Sequence, residues 1–316
     1  VVEQPVINEE AGTIVFAVNE EVESLKFTPI IEISEGATIT PASGVAQDFS
    51  NNKKVTYTVT AEDGTVKVYT AFVEGTRKVL KYSFEDWKEG TKNDELLPKD
   101  LWAGSAAGAG ILGGTLLRKE TREDGTYAAK LITFEYPNEP NSLVPKITAG
   151  SIFIGNFDMM PALQGDRLSC TKFGLDAETV SLGGKPLRFK GVYKYESGSN
   201  YLDASNYEDV KPVDIKDKGQ IQAVLYKVQT GEDGKEIVLT GHDVNTSELR
   251  VAVANIIVED IKEYTPFNIE FEYLQEYDRT AKYKFAIICS SSKDGDLFKG
   301  AGGSTLIVDE FEVICE

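Results

Sequence analysis

Short runs of alternating apolar and polar residues dominate the start of the chain. In residues 55–60, valine and tyrosine alternate with threonine, which is typical of a strand with one buried face. Asp63-Gly64, just after this run, supplies the positive φ of a hairpin turn. Further apolar runs lie at 6–18, 25–33 and 66–73. Together these segments predict a small β-sandwich of about 75 residues.

A second pattern of strands begins at residue 79, so residues 75–78 mark the junction. Its strand candidates are 79–84, 128–134, 151–157, 187–195, 220–228, 236–239, 249–258, 267–273, 282–289 and 305–314. No segment shows sustained helical periodicity with caps. Many strands with Asp, Gly and Asn turns predict an all-β jelly-roll sandwich. The polar segment 198–219 is expected to form a long loop or insertion.

Composition limits the possible partners. A chain of 316 residues with 41% apolar content is long enough for two packed domains. Its net charge of −18 repels phosphate backbones, which excludes nucleic acid as a favoured partner. A neutral polymer, a cation or a basic protein remains a possible partner. The alternative is that the charge only keeps the protein soluble.

Histidine and cysteine chemistry has few candidates. His242 is the only histidine, so zinc sites built from several histidines are excluded, and its Gly-Asp-Asn surroundings predict a solvent-facing loop. The three cysteines, Cys170, Cys289 and Cys315, show no CxxC spacing. Cys289 and Cys315 could pair, although buried free thiols are the expected state.

The chain contains no apolar run of membrane-spanning length, and no signal peptide is recognisable. It begins at Val1 rather than at methionine, from which we expect a trimmed mature segment. The removed part is expected to have carried an export or lipid signal.

A polar loop near the C-terminus is the densest local feature. Residues 290–296 (Ser-Ser-Ser-Lys-Asp-Gly-Asp) and 300–304 (Gly-Ala-Gly-Gly-Ser) lie between two apolar strands. Hydroxyl, carboxylate and bare backbone groups in such a loop can bind an ion, a sugar hydroxyl or another backbone segment.

Three stretches of the first domain form a recognisable set: 37–44 (Ala-Thr-Ile-Thr-Pro-Ala-Ser-Gly), 48–50 (Asp-Phe-Ser) and 55–64 (Val-Thr-Tyr-Thr-Val-Thr-Ala-Glu-Asp-Gly). In these stretches the domain resembles an immunoglobulin-like module found at the front of surface proteins of Bacteroides-like gut bacteria. The resemblance implies a spacer that holds the following domain away from a membrane.

Six stretches of the second domain form a recognisable set: Tyr82-Ser83-Phe84-Glu85, Leu101-Trp102, 127–131 (Tyr-Ala-Ala-Lys-Leu), 149–155 (Ala-Gly-Ser-Ile-Phe-Ile-Gly), 185–195 (Lys-Pro-Leu-Arg-Phe-Lys-Gly-Val-Tyr-Lys-Tyr) and 287–296 (Ile-Ile-Cys-Ser-Ser-Ser-Lys-Asp-Gly-Asp). In these stretches the domain resembles the putative carbohydrate metabolism domain family of gut Bacteroidetes. The resemblance implies a jelly roll similar to carbohydrate-binding modules, and association with glycans.

Trp102 is the first candidate for sugar contact. The small residues 103–110 that follow it leave open space beside its ring. Sugar rings stack on such apolar faces while nearby polar groups bond to their hydroxyls. The alternative is that Trp102 closes the end of the sandwich as a core residue.

Tyrosines form a second candidate group. Tyr193 and Tyr195 share one face of a strand by their spacing of two, and Tyr201 and Tyr207 follow in the polar segment. Tyr193, Tyr195 and Tyr201 are predicted to bind glycan if their face is the concave one. On the other face they belong to the core.

Acidic residues at the two ends of the second domain suggest calcium. Glu85 and Asp309 would approach each other if the first and last strands pair, and calcium prefers carboxylate and carbonyl oxygens. We therefore expect Glu85 and Asp309 as ligands of a structural calcium ion. The alternative is a solvated acidic edge, or carboxylates that serve the backbone of the turns.

Hydrolysis of a glycosidic bond needs two facing carboxylates in a sugar cleft. The chain has 51 acidic residues, and no motif singles out a pair.

The sequence therefore predicts an immunoglobulin-like spacer, residues 1–77, followed by a jelly-roll glycan-binding domain, residues 78–316. Its partners are a polysaccharide or oligosaccharide and other surface glycan-utilisation proteins. It is expected in the periplasm or at the outer surface, held by a lipid anchor. A glycoside hydrolase using the same face and a structural, adhesin-like surface protein are the alternatives.

Overall fold

The chain divides into two compact units. The computed structural model describes residues 1–109, 112–141 and 144–316. One unit comprises Val1–Val79 together with Ile314–Glu316, and the other comprises Leu80–Val313. This division lies two residues beyond the boundary that the sequence predicts after residue 77. It also assigns the last three residues to the first unit, whereas the sequence places them in the second.

Strands make up nearly all of the regular structure, which confirms the all-β prediction. In chain order the strands are β1 (Val6–Asn8), β2 (Thr13–Asn19), β3 (Lys26–Phe27), β4 (Thr38–Thr40), β5 (Gln47–Asp48), β6 (Val55–Thr60), β7 (Val66–Tyr82), β8 (Trp87–Lys88), β9 (Glu95–Leu96), β10 (Trp102–Gly104), β11 (Leu117–Thr121), β12 (Tyr127–Ile132), β13 (Phe134–Glu135), β14 (Ile147–Thr148), β15 (Ser151–Phe157), β16 (Thr171–Phe173), β17 (Leu175–Asp176), β18 (Pro186–Glu196), β19 (Tyr201–Asp203), β20 (Lys211–Val213), β21 (Gly219–Lys227), β22 (Leu239–Thr240), β23 (Arg250–Val258), β24 (Ile261–Glu270), β25 (Glu272–Tyr273), β26 (Tyr283–Ser290), β27 (Lys299–Ala301) and β28 (Thr305–Cys315).

The helices are single turns. They are α1 (Ala106–Ala109) and α2 (Met160–Leu163), with 3₁₀ turns at Ser50–Asn52, Leu168–Cys170 and Gly295–Leu297. Among the residues that the structure describes, none lies in a helix long and apolar enough to cross a membrane.

The first unit is a small sandwich built on the predicted hairpin. Strands β6 and β7 pair antiparallel, and the turn between them has Gly64 at φ +84° and the Asp63 carboxylate accepting from the Thr65 N–H at 2.8 Å. Strands β1, β2, β7, β6 and β4 form one sheet, in which β2 and β7 run parallel. Phe49 and Tyr57 fill its core, each 2% exposed.

The second unit contains two larger sheets. One has the strand order β11-β12-β28-β18-β24, and the other has the order β22-β16-β15-β26-β21-β23-β25, with β10 beside β15. A chain of aromatic contacts joins them: the ring centroids of Trp102 and Phe84 are 5.4 Å apart, those of Phe84 and Phe311 5.2 Å, and those of Phe311 and Phe189 5.0 Å. The core of this β-sandwich lies between the two sheets.

The segment 198–219 is more ordered than its polar sequence predicts. Two of its stretches, β19 and β20, pair with each other, and β19 also pairs with β27. Tyr201 and Leu202 of β19 are 5% and 6% exposed. Burial of these two side chains orders the segment, although its polar composition predicts a loop.

We expect the second unit to fold by itself, because it has its own core. A fragment of residues 80–316 should be soluble and should melt in one cooperative transition, measured by circular dichroism and calorimetry. If this fragment aggregates while the full chain stays soluble, the division after Val79 is contradicted.

Candidate functional site

A groove lies on the face of the larger sheet that points away from the sandwich core. In this sheet Ser290 of β26 lies opposite Ser151 of β15 and opposite Gln220 of β21. Directly opposed residues in antiparallel strands share one face, so these three polar side chains form a row. The next residues along the strands, such as Cys289 and Ile221, point into the core and are 0% exposed.

A second row on the same face has two apolar residues and one polar residue. Phe153, Ile288 and Gln222 lie opposite one another across β15, β26 and β21. Gln222 is 4% exposed and donates to the Asn245 side-chain oxygen at 3.4 Å. Carboxamides both donate and accept hydrogen bonds, which is the capacity that recognition of hydroxyl groups requires.

Apolar side chains close the groove on the side of β16 and α2. Phe157, Phe173 and Val244 line it together with Met159, and the space enclosed is about 200 Å³. The two serine and carboxamide rows thus lie beside an apolar wall. Small-molecule sites combine these two kinds of surface.

Arg167 and Phe298 form one rim of the groove. The Arg167 guanidinium carbon lies 5.1 Å from the centroid of the Phe298 ring, and its Nη2 donates to the Asn141 carbonyl at 3.1 Å. Burial lowers the pKa of Arg167, because it removes water from the charged group. A guanidinium stacked on an aromatic ring is held in one orientation.

Phe298 has an unusual backbone. It caps the 3₁₀ turn Gly295–Leu297 at φ 56° and ψ 39°, in the left-handed region. A bulky residue in this region costs about 1 kcal/mol or more, and such strained residues cluster at ligand sites. This backbone conformation places Phe298 among the residues that line the groove.

Asp296 and Lys293 also line the groove. Asp296 is open to solvent, but neighbouring protein atoms displace part of its hydration and raise its pKa. Lys293 pairs with Asp294 at 2.6 Å. Of the described residues that line the groove, Asp296 is the sole carboxylate.

A buried carboxylate holds the loop that carries Asp296 and Phe298. Asp217 is 2% exposed, and its Oδ2 accepts from the Ser292 hydroxyl at 2.5 Å, the Ser304 hydroxyl at 2.7 Å and the Ala301 N–H at 2.8 Å. Its Oδ1 accepts from the Lys218 N–H at 2.8 Å. Burial raises the pKa of Asp217, and these hydrogen bonds act in the opposite direction. The polar loop that the sequence singled out therefore binds a carboxylate of the protein itself.

His242 lies in the loop that the sequence predicts, and its side chain is 51% exposed. Its Nε2 is 2.7 Å from the Asp166 carboxylate. Hydrogen bonds from Ser169 and His242 lower the pKa of Asp166. The three cysteines are free thiols and buried, and burial raises the pKa of Cys170 at the groove.

The structure places Trp102 in the core. The residue is 6% exposed, and its ring packs against Tyr82 at 6.0 Å and Phe84 at 5.4 Å. Neither ring face is open for a sugar to stack on, which corrects the expectation drawn from the small residues that follow it. Those residues lie at the close pairing of β10 with β15, where a Cβ on Gly104 would be 2.3 Å from the Ser151 carbonyl oxygen. Gly110, the last of the small run, falls outside the described residues.

The tyrosines do not form an open platform. Tyr195 is 2% exposed and donates to the Ser291 carbonyl at 3.0 Å, and Tyr201 is 5% exposed and donates to Asp294 at 3.0 Å. A β-bulge separates Tyr193 from Tyr195, and the half-buried Tyr193 ring contacts Phe267 at 6.3 Å. None of the three lines the groove among its described residues, but Tyr195 and Tyr201 bind the loop that does.

Protein groups already occupy the two carboxylates expected to bind calcium. Asp309 is 2% exposed and ion-paired with Arg122, and Glu85 accepts from the Tyr127 N–H at 3.1 Å. The described part of the chain contains no group of three or more His, Cys, Asp or Glu side chains arranged for a metal ion. The placement of Asp309 and Glu85 therefore gives the calcium expectation no support.

The groove residues that sequence reasoning missed are Gln220, Gln222, Asn245, Arg167 and Phe298. A signal for the first two was present, because they alternate with apolar residues inside the strand 219–227. Two carboxamides on one face of a strand that is otherwise apolar indicate a polar site on that face. Asn245, Arg167 and Phe298 come from three separate loops, which strand patterns do not bring together.

Because its ring is buried, Trp102→Ala should destabilise the protein by about 3–5 kcal/mol. Tyr207, which is 38% exposed, provides the control, and Tyr207→Ala should change stability by less than about 1 kcal/mol. Urea unfolding followed by tyrosine fluorescence and circular dichroism measures both. Equal stability of the two variants would contradict the core placement of Trp102.

Asp217→Asn should destabilise the second unit by about 1–3 kcal/mol, because an amide cannot accept all four hydrogen bonds. Asp214, an exposed carboxylate three residues earlier, is the matched control, and Asp214→Asn should have almost no effect. Chemical denaturation of the 80–316 fragment compares them. No loss in Asp217→Asn would show that the loop is held by other contacts.

Comparison with known proteins gives the family. Residues 52–314 match the family described as putative carbohydrate metabolism domain. Residues 2–73 match the N-terminal domain of surface glycan-binding proteins, which accords with an extracytoplasmic location. No curated protein matches the chain.

Two solved structures are similar. A putative glycoside hydrolase from Bacteroides thetaiotaomicron is 30% identical, with a TM-score of 0.64, over 99% of this chain and 92% of its own. A putative glycoside hydrolase from Bacteroides vulgatus is 28% identical, with a TM-score of 0.62, over 75% of this chain and 98% of its own. These likenesses and the family matches connect the chain with carbohydrate utilisation. The chain belongs to the putative carbohydrate metabolism domain family.

Proposed function

We propose that the second unit binds a glycan in the groove on the larger sheet. The observation that carries this proposal is the composition of the groove floor. Ser151, Ser290 and Gln220 form a polar row beside Ile288 and Gln222, and all five residues line the groove. A sugar has the same mixture of hydroxyl groups and apolar C–H faces.

Each part of the groove has a role in this proposal. Gln220 and Gln222 bond to hydroxyl groups as both donors and acceptors. The Phe298 ring offers an apolar face at the rim, and Arg167 fixes its orientation from one side. Asp296 accepts from a hydroxyl as a carboxylate, which gives a stronger hydrogen bond than a neutral acceptor does.

The first unit serves as the spacer in this proposal. Its match to the N-terminal domain of surface glycan-binding proteins supports that role. A lipid anchor would hold the protein at the outer surface, and other glycan-utilisation proteins there would be its partners. A purely structural role fits less well, because a flat second domain would offer no groove.

Hydrolysis is the second candidate, favoured by the description of both similar structures as putative glycoside hydrolases. The raised pKa of Asp296 suits a general acid. A two-carboxylate mechanism needs a second carboxylate within about 10 Å across the bond. Because Asp296 is the sole carboxylate among the described groove residues, binding is the better-supported activity.

Binding is tested with a glycan array of the 80–316 fragment, followed by calorimetry on the best ligand. Gln222→Ala and Phe298→Ala should each weaken binding about tenfold or more, which corresponds to about 1.4 kcal/mol. Gln229→Ala, an exposed glutamine outside the groove lining, should bind as the wild type does. Unchanged affinity in both groove variants, with their folding intact, would place the site elsewhere.

Hydrolysis is tested on the same ligand by chromatography of released sugars. The binding proposal predicts that the glycan stays intact during prolonged incubation. Release of sugar by the wild type that is abolished in Asp296→Asn would establish the hydrolase instead.

A further inference from the structure

A second pocket lies apart from the groove, beside the strand that carries Trp102. It is bordered by β8, β9 and β10 and encloses about 360 Å³. The groove and this pocket share no described lining residue. Its lining includes Trp102 and four charged residues that we call the rim, Lys88, Glu89, Glu95 and Lys99. We call it the indole pocket.

The indole N–H of Trp102 has no hydrogen-bond partner among the described residues, although the residue is only 6% exposed. Buried tryptophans normally pair this donor. Nε1 is not one of the fully buried unpaired atoms, so it keeps contact with solvent, and the pocket is where Trp102 lines open space. The other tryptophan contrasts with it, since the Trp87 Nε1 donates to the Phe84 carbonyl at 2.6 Å.

Backbone contacts fix the wall of the indole pocket. The Asn93 side-chain oxygen accepts from the N–H groups of Leu116 and Leu117 at 2.7 and 3.0 Å, and its amide nitrogen donates to the Gly114 carbonyl at 2.8 Å. Asp94 is 4% exposed and accepts from the Gly90 N–H at 3.0 Å. The wall is therefore formed before any ligand arrives, which lowers the entropy cost of binding.

The charged groups that line the pocket are paired with opposite charges, and Asp94 of the wall lies 3.3 Å from Arg118. Glu95 pairs with Lys99 and lies 3.8 Å from Lys88, while Glu89 pairs with Lys119 at 2.7 Å. Because each rim charge already has a partner of opposite sign, a charged ligand finds no unpaired counter-charge at the rim. A neutral ligand with hydroxyl groups can donate to the glutamates and accept from the lysines.

We propose that the indole pocket is a second saccharide site, in which the Trp102 indole N–H donates to a hydroxyl oxygen of a neutral sugar. The choice of a sugar as ligand rests on the proposed function, whereas the pocket and its unpaired donor do not. Two sites on one domain would let the protein hold a polymer at two points, which raises the overall affinity through effective concentration.

Nuclear magnetic resonance tests this site with the intact chain. With ¹⁵N-tryptophan labelling, the indole region contains two resonances, which Trp87→Phe assigns. The probes are D-glucose, D-galactose, D-mannose and D-xylose, with D-galacturonate and D-galactosamine as charged comparators. The Trp102 resonance should shift and saturate with a neutral sugar, while the Trp87 resonance, already hydrogen-bonded, should hardly move.

Absence of a Trp102 shift with all four neutral sugars would overturn the proposal. A saturable shift with only a charged comparator would also overturn it. Trp102→Phe removes the donor but keeps an aromatic side chain in the core. If this variant melts cooperatively, it should bind the long glycan at least several-fold more weakly than the wild type, and undiminished binding would count against the second site.

The proposal for the groove and the proposal for the indole pocket can be disproved independently of each other. If Gln222→Ala loses polymer binding and no sugar shifts the Trp102 resonance of the wild type, the groove site is supported and the second site is disproved. If a neutral sugar shifts the Trp102 resonance and Gln222→Ala binds the polymer as the wild type does, the second site is supported and the groove site is disproved. If neither polymer binding nor a Trp102 shift occurs, both proposals fall.

Discussion

The buried carboxylate of Asp217 is the interaction on which the arrangement of the groove depends. It accepts hydrogen bonds from Ser292 on one side and from Ser304 and the Ala301 N–H on the other. These partners lie at the two ends of the polar C-terminal loop, so one side chain fixes both ends. A carboxylate in this position is costly to bury, and only a full set of donors makes the burial tolerable.

The hydrogen bonds around Asp217 also explain why position 300 is a glycine. A Cβ on Gly300 would be 2.4 Å from the Ser292 hydroxyl, and Gly300 has φ +158°. The close approach needs a residue without a side chain. Between the two fixed ends, the turn that carries Asp296 and the strained Phe298 is held at the mouth of the groove. Phe298, with its left-handed backbone, lies in this held turn, where we propose that a ligand binds.

The local pattern of the chain predicts much of the fold. Alternation in residues 55–60 and the Asp63-Gly64 turn give the hairpin that the structure shows. The site is harder to predict, because a strand pattern does not say which face is the core. For Trp102 and Tyr195 the sequence left two placements open, a sugar-binding surface or the core, and both residues are buried.

The local sequence pattern also does not predict ion pairs between residues that are far apart in the chain. Asp309 is paired with Arg122, which lies 187 residues away in the sequence. This pairing converts an expected metal ligand into half of a buried ion pair, and nothing local to either residue reveals it. By contrast, Gln220 and Gln222 were recognisable as polar residues within an apolar strand, and they mark the groove floor.

A crystal structure of the 80–316 fragment with an oligosaccharide chosen on a glycan array would test whether the groove binds glycan. Electron density for a sugar ring should lie over the rows of Gln220 and Gln222, with Phe298 at its edge. A bound oligosaccharide that leaves the groove empty would contradict glycan binding in the groove.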